Sequence, residues 1–106
     1  MNAASDWEDF CEQSELLPGE FLVREAGGAF VAVYNIDGVL YGLEDVCTHD
    51  GGELAGGPIE GLSIECIRHG AKFDLQTGAA LCAPAHTPVP IWQVRVQDGN
   101  VQVRPR

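Results

Sequence analysis

Positively charged residues are scarce in this sequence of 106 residues, in which six lysines and arginines stand against sixteen aspartates and glutamates. The resulting formal net charge of −10 argues against nucleic acid as a partner, because phosphate binding requires positive charge. The first twenty residues contain six acidic residues and neither lysine nor arginine, so we expect no signal peptide there.

Long uninterrupted hydrophobic runs are also missing. The longest uncharged run, Leu75 to Val94, contains three prolines, two glutamines and a histidine, which a membrane-spanning helix would not carry together. We therefore expect a soluble, cytoplasmic protein that binds no membrane. In a reducing cytosol the four cysteines are expected to serve metal binding or packing rather than disulfides.

What the sequence does contain is turn residues, with thirteen glycines and six prolines separating short apolar runs. The pairs Asp37-Gly38 and Asp98-Gly99 each lie between two such runs and predict tight β-hairpins. Further short strands are expected from Leu62 to Ile67 and from Lys72 to Leu75. We predict a single all-β domain over residues 1–106, with about six to nine short strands arranged as a sandwich or small barrel.

The N-terminal segment has two interpretations. Apolar and small residues follow helical spacing at Trp7, Phe10, Cys11 and Ser14. The same segment is also compatible with an edge strand that precedes the turn around Pro18. We favour a strand followed by one helical turn.

Cysteine and histidine occur together in two short motifs, Cys47-Thr48-His49 and Cys66-Ile67-Arg68-His69, with sixteen residues between them. Each motif directly follows a predicted strand, and nearby glycines allow backbone amides to approach a bound anionic centre. Two cysteines and two histidines could hold a tetrahedral zinc ion, but structural zinc fingers usually separate the two residue types into different motifs. A mixed pair from each of two loops suits a two-iron cluster, with both cysteines on one iron and both histidines on the other.

The joint pattern C-x-H-x16-C-x-x-H, seen here in CTHDGG and CIRHGAKFDLQTG, closely resembles the Rieske ferredoxin family over residues 7–103. The resemblance implies a Rieske fold, an antiparallel β-sandwich with a cluster-binding subdomain inserted near residues 45–85. It implies one [2Fe–2S] cluster per chain, with the inner iron bound by Cys47 and Cys66 and the outer iron by His49 and His69. The segment Cys82-Ala83-Pro84-Ala85 would match the loop that shields the cluster from a third side.

Members of this family carry single electrons to non-heme iron oxygenases. The resemblance therefore implies an electron carrier rather than an enzyme, most simply a monomer. Its expected partners are a flavin-dependent ferredoxin reductase and a terminal oxygenase of the aromatic-ring dioxygenase type. Two other hypotheses stay open, the small Rieske subunit of an assimilatory nitrite reductase and a zinc-stabilised interaction module.

The sequence departs from the high-potential members of the family at two places. Their disulfide between the cluster loops would fall at Gly52 and Arg68, and their hydroxyl donor to a bridging sulfide would fall at Ala71. Because hydrogen bonds to sulfur stabilise the added electron, we expect a potential near the low end of the Rieske range, which runs from about −150 to +300 mV. We expect the remaining histidine, His86, to lie at the surface or to serve in packing. The remaining cysteines, Cys11 and Cys82, are expected to be small buried hydrophobic residues.

Overall fold

The computed structural model describes residues 6–106 and contains ten β-strands within them. The strands are β1 Glu8–Glu12, β2 Phe21–Ala26, β3 Ala29–Ile36, β4 Val39–Glu44, β5 Ile59–Glu60, β6 Ser63–Glu65, β7 Lys72–Asp74, β8 Ala80–Cys82, β9 Ile91–Gln97 and β10 Asn100–Pro105. The all-β prediction is confirmed. The predicted number of strands was too low, because β5 and β8 have only two and three residues and show no periodic pattern. Across residues 6–106, no helix has the length and apolar character needed to cross a membrane.

Six strands form the first sheet in the order β1-β10-β9-β4-β3-β2, and every neighbouring pair is antiparallel. Its two edge strands, β1 and β2, contact each other, so the sheet is nearly closed. Alternate residues of each strand point into the space that the sheet encloses, and the apolar side chains among them fill this space. This part of the core is formed around Val31, Val33, Trp92, Val101 and Val103.

Both predicted hairpins are present. Asp37 and Asp98 each have a φ of 53°, and the glycines that follow them have φ values of 90° and 81°. Two consecutive residues with positive φ form the turn that matches the right-handed twist of paired strands. The first hairpin joins β3 to β4 and the second joins β9 to β10, so local turn chemistry sets the register of both pairs.

The N-terminal segment forms a strand and then one turn of 3-10 helix, Gln13–Glu15, as favoured from the sequence. Strand β1 pairs with β10, and its register shifts between Asp9 and Cys11. This bulge breaks the two-residue alternation of a strand, which explains why the apolar spacing was also compatible with a helix. The guanidinium groups of Arg95 and Arg104 both contact the Trp7 ring, with their central carbons 4.3 and 4.5 Å from the ring centroid.

The second sheet has the order β5-β6-β7-β8 and lies in the chain between β4 and β9. Ile64 of β6 and Phe73 of β7 are fully buried, in one hydrophobic cluster with Tyr34 and Leu43 of the first sheet. Burial of these large side chains fixes β6 and β7 against the first sheet. The packing therefore determines where the loops that follow β4 and β6 lie relative to each other.

Candidate metal centre

The two cysteine and histidine motifs lie in loops that follow strands of different sheets. Loop 1 (residues 45–58) follows β4 of the first sheet, and loop 2 (residues 66–71) follows β6 of the second sheet. A third loop (residues 83–90) connects β8 to β9. Loops supported by rigid strands are suitable positions for ligands, because the sheets fix the two ends of each loop.

Loop 1 turns back on itself at its cysteine. The Cys47 N–H donates to the Gly52 carbonyl oxygen at 2.8 Å, and the Gly51 N–H donates to the Cys47 carbonyl oxygen at 2.7 Å. Gly51 has a φ of 78°, a left-handed conformation that glycine adopts without steric cost. The backbone N–H and the backbone carbonyl of Cys47 are therefore both hydrogen-bonded within the loop.

Loop 2 repeats this arrangement with the same spacing. The Cys66 N–H donates to the Ala71 carbonyl oxygen at 2.7 Å, and the Gly70 N–H donates to the Cys66 carbonyl oxygen at 2.8 Å. Gly70 has a φ of 77°. In both loops a left-handed glycine follows the cysteine by four residues. This C-x-x-x-G repetition is visible in the sequence and could have predicted the matching turns, but the sequence reasoning missed it.

The two turns bring the four predicted ligands together. Cys47 and Cys66 are buried, with 0% and 1% of their surface exposed, and their sulfurs lie within 4.8 Å of each other. His49 and His69 are exposed, and their ring centroids lie 4.9 Å apart in an edge-to-face arrangement. The site therefore has an inner pair of thiols and an outer pair of imidazoles at the protein surface.

This donor set fits a [2Fe–2S] cluster that has unlike ligands on its two irons. Burial raises the pKa of the Cys47 thiol, so the unligated protein favours the protonated form. Binding of a metal centre would hold the thiolate instead, because a coordinating thiol loses its proton. One tetrahedral zinc ion is the other centre that proteins hold with two cysteines and two histidines. Similarity to known proteins separates these two possibilities.

The Asp50 side chain of loop 1 contacts loop 2, and one of its carboxylate oxygens is within 4.8 Å of both cysteine sulfurs. Arg68 Nε donates to Oδ2 at 2.7 Å, and Arg68 Nη2 donates to Oδ1 at 3.0 Å. The Gly52 N–H also donates to Oδ1, at 2.9 Å. The hydrogen bonds from Arg68 and then from Gly52 hold the pKa of Asp50 well below its ordinary value. Asp50 is therefore the charged partner of Arg68 rather than a free metal ligand.

Two further side chains hold the distal part of loop 1. Asp45 Oδ1 accepts hydrogen bonds from the Leu54 and Ala55 N–H groups at 2.8 and 2.7 Å. The Tyr34 hydroxyl oxygen accepts a hydrogen bond from the Gly56 N–H at 2.9 Å. Burial raises the pKa of the Tyr34 phenol, so this acceptor is neutral at physiological pH. The sequence reasoning identified neither contact, because the partners lie 9 to 22 residues apart in the chain.

The third loop and the end of β8 each contact one of the ligand loops. Thr48 Oγ1 donates to the Thr87 carbonyl oxygen at 2.5 Å, and this hydrogen bond joins loop 1 to the third loop. The Cys82 thiol, at the end of β8, donates to the Gly70 carbonyl oxygen of loop 2 at 3.5 Å. Ala85 of the third loop is buried. The shielding role that the family resemblance implied for residues 82–85 stays a prediction.

The other histidine and the other cysteines lie outside the four-ligand group. His86 is exposed in the third loop, and Cys11 is partly buried in β1. Cys82 is exposed, so the expectation that it is a buried hydrophobic residue is wrong. The physical reason is its position at the end of β8, which is an edge strand of the second sheet.

Comparison with known proteins identifies the family. The sequence model of the Rieske [2Fe–2S] domain matches residues 6–93. The chain is 32% identical over 97 residues to the ferredoxin component of the naphthalene 1,2-dioxygenase system of Pseudomonas putida, across 92% of this chain and 93% of that protein. It is 36% identical over 98 residues to ferredoxin CarAc of Metapseudomonas resinovorans, across 92% of both. The solved ferredoxin of carbazole 1,9a-dioxygenase from Nocardioides aromaticivorans IC177 superposes with a TM-score of 0.86 at 27% identity, over 94% of this chain and 98% of that one.

This chain belongs to the Rieske [2Fe–2S] domain family. The predictions of a Rieske fold and of a [2Fe–2S] cofactor are thereby confirmed. More narrowly, the relatives that it resembles over nearly its whole length are ferredoxin components of dioxygenase systems. A further solved structure is a complex of reduced oxygenase and oxidised ferredoxin in carbazole 1,9a-dioxygenase, with a TM-score of 0.85 at 33% identity over 95% of this chain and 96% of that one.

Proposed function

We propose that this protein is the ferredoxin of a ring-hydroxylating dioxygenase system. It accepts one electron at a time from a flavin-dependent reductase and delivers it to a terminal non-heme iron oxygenase. The observation that carries the proposal is the pair of exposed imidazoles, 4.9 Å apart, beside two buried thiols. An electron carrier requires one reachable edge on an otherwise protected centre, and this asymmetry supplies it.

The ligand set belongs to the same proposal. Cys47 and Cys66 bind the inner iron, and His49 and His69 bind the outer iron, of one cluster per chain. The bound cluster supplies the one-electron chemistry. The protein buries the thiol side away from water and leaves the imidazole edges accessible to a partner. Residues 1–106 act as one Rieske domain, and residues 45–85 form its cluster-binding part.

We further propose that the reduction potential lies near the low end of the Rieske range. Ala71 is the fully buried last residue of loop 2 and has no hydroxyl with which to stabilise a reduced centre. The net charge of −10 also opposes the addition of an electron. A midpoint above about +150 mV in protein-film voltammetry would contradict this part of the proposal.

The acidic surface defines the kind of partner. A chain with sixteen acidic and six basic residues associates fastest with a positively charged docking surface on the reductase and on the oxygenase. We expect the second-order rate of electron transfer with each partner to fall as ionic strength rises, since salt screens this attraction. A rate independent of salt would contradict the electrostatic steering.

The deciding experiment is performed on protein purified without air. We expect about two irons and two acid-labile sulfides per chain, and a reduced EPR spectrum with the lowered average g value of histidine-ligated iron. In the second arm, dithionite-reduced protein is mixed with the oxygenase component of carbazole 1,9a-dioxygenase. Its reoxidation is followed by visible absorbance, and buffer without oxygenase gives the background rate.

Controls separate the possible outcomes. A Cys47→Ala variant should lose the cluster and the absorbance, whereas Cys82→Ser should keep both, because Cys82 is outside the proposed ligand set. A colourless protein that contains one zinc ion per chain would refute the proposal and support an interaction module. An intact cluster with no electron transfer to any dioxygenase oxygenase component would refute the assigned partner.

A further inference from the structure

The two ligand loops are joined to each other by one ion pair. Asp50 of loop 1 and Arg68 of loop 2 meet through two hydrogen bonds of 2.7 and 3.0 Å, the bidentate geometry of a guanidinium on a carboxylate. Each residue adjoins a proposed ligand, since Asp50 follows His49 and Arg68 precedes His69. The ion pair therefore links the loops at the imidazole side of the site.

The backbone of loop 1 leaves space for this ion pair at Gly52. The Gly52 N–H donates to Asp50 Oδ1 at 2.9 Å and orients the carboxylate. A Cβ at Gly52 would lie 2.7 Å from Arg68 Nη2 and 2.8 Å from Arg68 Cζ. Any larger residue at this position would displace the guanidinium, so the glycine permits the close approach.

The loops have no covalent link between them. All four cysteines are free thiols, and positions 52 and 68 hold a glycine and an arginine. The β5–β6 hairpin joins only the end of loop 1 to the start of loop 2, where the Glu65 N–H donates to the Pro58 carbonyl oxygen at 3.0 Å, and Asp50 lies eight residues before that end. Asp50 and Arg68 are both exposed residues, so salt can screen the contact between them.

We propose that the Asp50–Arg68 ion pair is a non-covalent clamp that holds loop 1 against loop 2 and thereby retains the cluster between them. This inference rests on the proposed function and its ligand set. Both clamp residues are positioning residues, because they act by fixing the loops that carry His49 and His69. Asp50 Oδ2 also lies 3.4 Å from His69 Nδ1, so the clamp is in direct contact with one of these side chains.

The test compares cluster retention in holoprotein variants. Asp50→Asn, Arg68→Gln and the double variant are purified without air, and the loss of visible absorbance is followed in excess iron chelator. We expect each single variant to lose the cluster about two- to fivefold faster than the wild type, as for a well-oriented ion pair. The double variant should be no faster than the quicker single variant, because both changes break the same contact.

The sign of the charge that each substitution removes distinguishes a clamp from a general electrostatic effect on the cluster. Asp50→Asn removes a negative charge and Arg68→Gln removes a positive one, so a charge effect on the cluster would move the two rates in opposite directions. A clamp moves them in the same direction. Arg68→Lys keeps the charge but not the planar fork, and it should give an intermediate rate. High salt should accelerate release from the wild type and leave the double variant almost unchanged.

The matched control is Glu53→Gln. Glu53 is an exposed acid of loop 1, and its carboxylate makes no hydrogen bond or ion pair in the described part of the chain. Its release rate should equal that of the wild type. A clamp variant that folds by circular dichroism but retains no cluster, while Glu53→Gln retains it, also supports the clamp.

Three results would overturn the clamp: unchanged release in the single variants, opposite shifts, or purely additive effects in the double variant. These results are distinguishable from failure of the proposed function. If wild-type protein shows no histidine-ligated two-iron EPR signal, the function fails before the variants are compared. If the wild type shows that signal and the variants match its release rate, only the clamp fails.

Discussion

Replacement of Asp45 is the sharpest test of how loop 1 is held. One carboxylate oxygen of Asp45 accepts the N–H groups of Leu54 and Ala55, at 2.8 and 2.7 Å. Leu54 is 2% exposed and belongs to the core cluster beneath the metal centre. Asp45→Ala therefore removes the acceptor of two partly buried amides, and no side chain of similar reach replaces it at that position.

The magnitude follows from these two bonds. A hydrogen bond to a charged group contributes about 1.5–3 kcal/mol, and a buried donor left without an acceptor costs about 1–3 kcal/mol. Because both donors share one oxygen, we expect a total loss of about 2–4 kcal/mol rather than the full sum. A domain of this size is stable by only about 5–15 kcal/mol, so the variant loses a large fraction of its stability.

The assay is urea unfolding followed by the fluorescence of the two tryptophans. With a slope of about 2 kcal/mol per molar urea, the expected loss lowers the midpoint by about 1–2 M. Asp45→Asn retains an acceptor oxygen without the charge, so its midpoint should fall by about half as much. In the cluster-bound protein, chelator-driven release from Asp45→Ala should also be faster, because loop 1 carries Cys47 and His49.

Asp74 provides a matched control within the same chain. Its Oδ1 also accepts two backbone N–H groups, from Gln76 and Thr77 at 2.7 and 2.9 Å, but in an exposed turn. Water can replace that acceptor, so Asp74→Ala should cost less than about 1 kcal/mol. If Asp45→Ala and Asp74→Ala shift the midpoint equally, burial of the two amides is not the source of the stabilisation and the reasoning fails.

The remaining predictions concern a glycine, a phenol and two thiols. A Cβ at Gly57 would overlap the carbonyl oxygen of Glu65, so Gly57→Ala should destabilise the fold by about 2 kcal/mol or more, measured by urea unfolding. Tyr34→Phe removes the acceptor of a loop amide and should cost about 1 kcal/mol in the same assay. Burial, followed by the charge of a nearby acid, raises the pKa of the Cys11 thiol. At pH 8, iodoacetamide should therefore modify exposed Cys82 before Cys11, as read by peptide mass spectrometry, and the Cys11 rate should keep rising in more alkaline buffer.

Each of these predictions has a contradicting result. Wild-type stability in Gly57→Ala would mean that the backbone shifts to admit a methyl group. Equal stability of Tyr34→Phe and wild type would mean that the loop amide finds another acceptor. Faster alkylation of Cys11 than of Cys82 at pH 8 would contradict the assigned burial and pKa direction.

Much of the fold could be predicted because its signals are local. The Asp37-Gly38 and Asp98-Gly99 turns carry their own conformational preference, so the hairpins follow from two residues each. The N-terminal strand and turn were also predicted correctly. Strands β5 and β8 were missed because they are ordered by neighbours in the second sheet rather than by a pattern of their own.

The candidate site divides in the same way. Its four proposed ligands were identified from the spacing of two unusual motifs, and the structure brings the two cysteines close to each other and the two histidines close to each other. The side chains that hold the loops were not identified. Asp45 accepts hydrogen bonds from amides 9 and 10 residues away, and Asp50 binds an arginine 18 residues away. No local sequence pattern therefore predicts either contact.

The sequence by itself determined the candidate donor residues, the turn positions and the acidic charge of this protein, because each depends on residue type and short spacing. Only the tertiary structure decided that loop 1 faces loop 2, that the thiols are buried while the imidazoles are exposed, and that Asp50 pairs with Arg68. These features arise where the second sheet packs against the first. That packing joins segments whose proximity results from burial of the whole apolar core rather than from the preferences of any one segment.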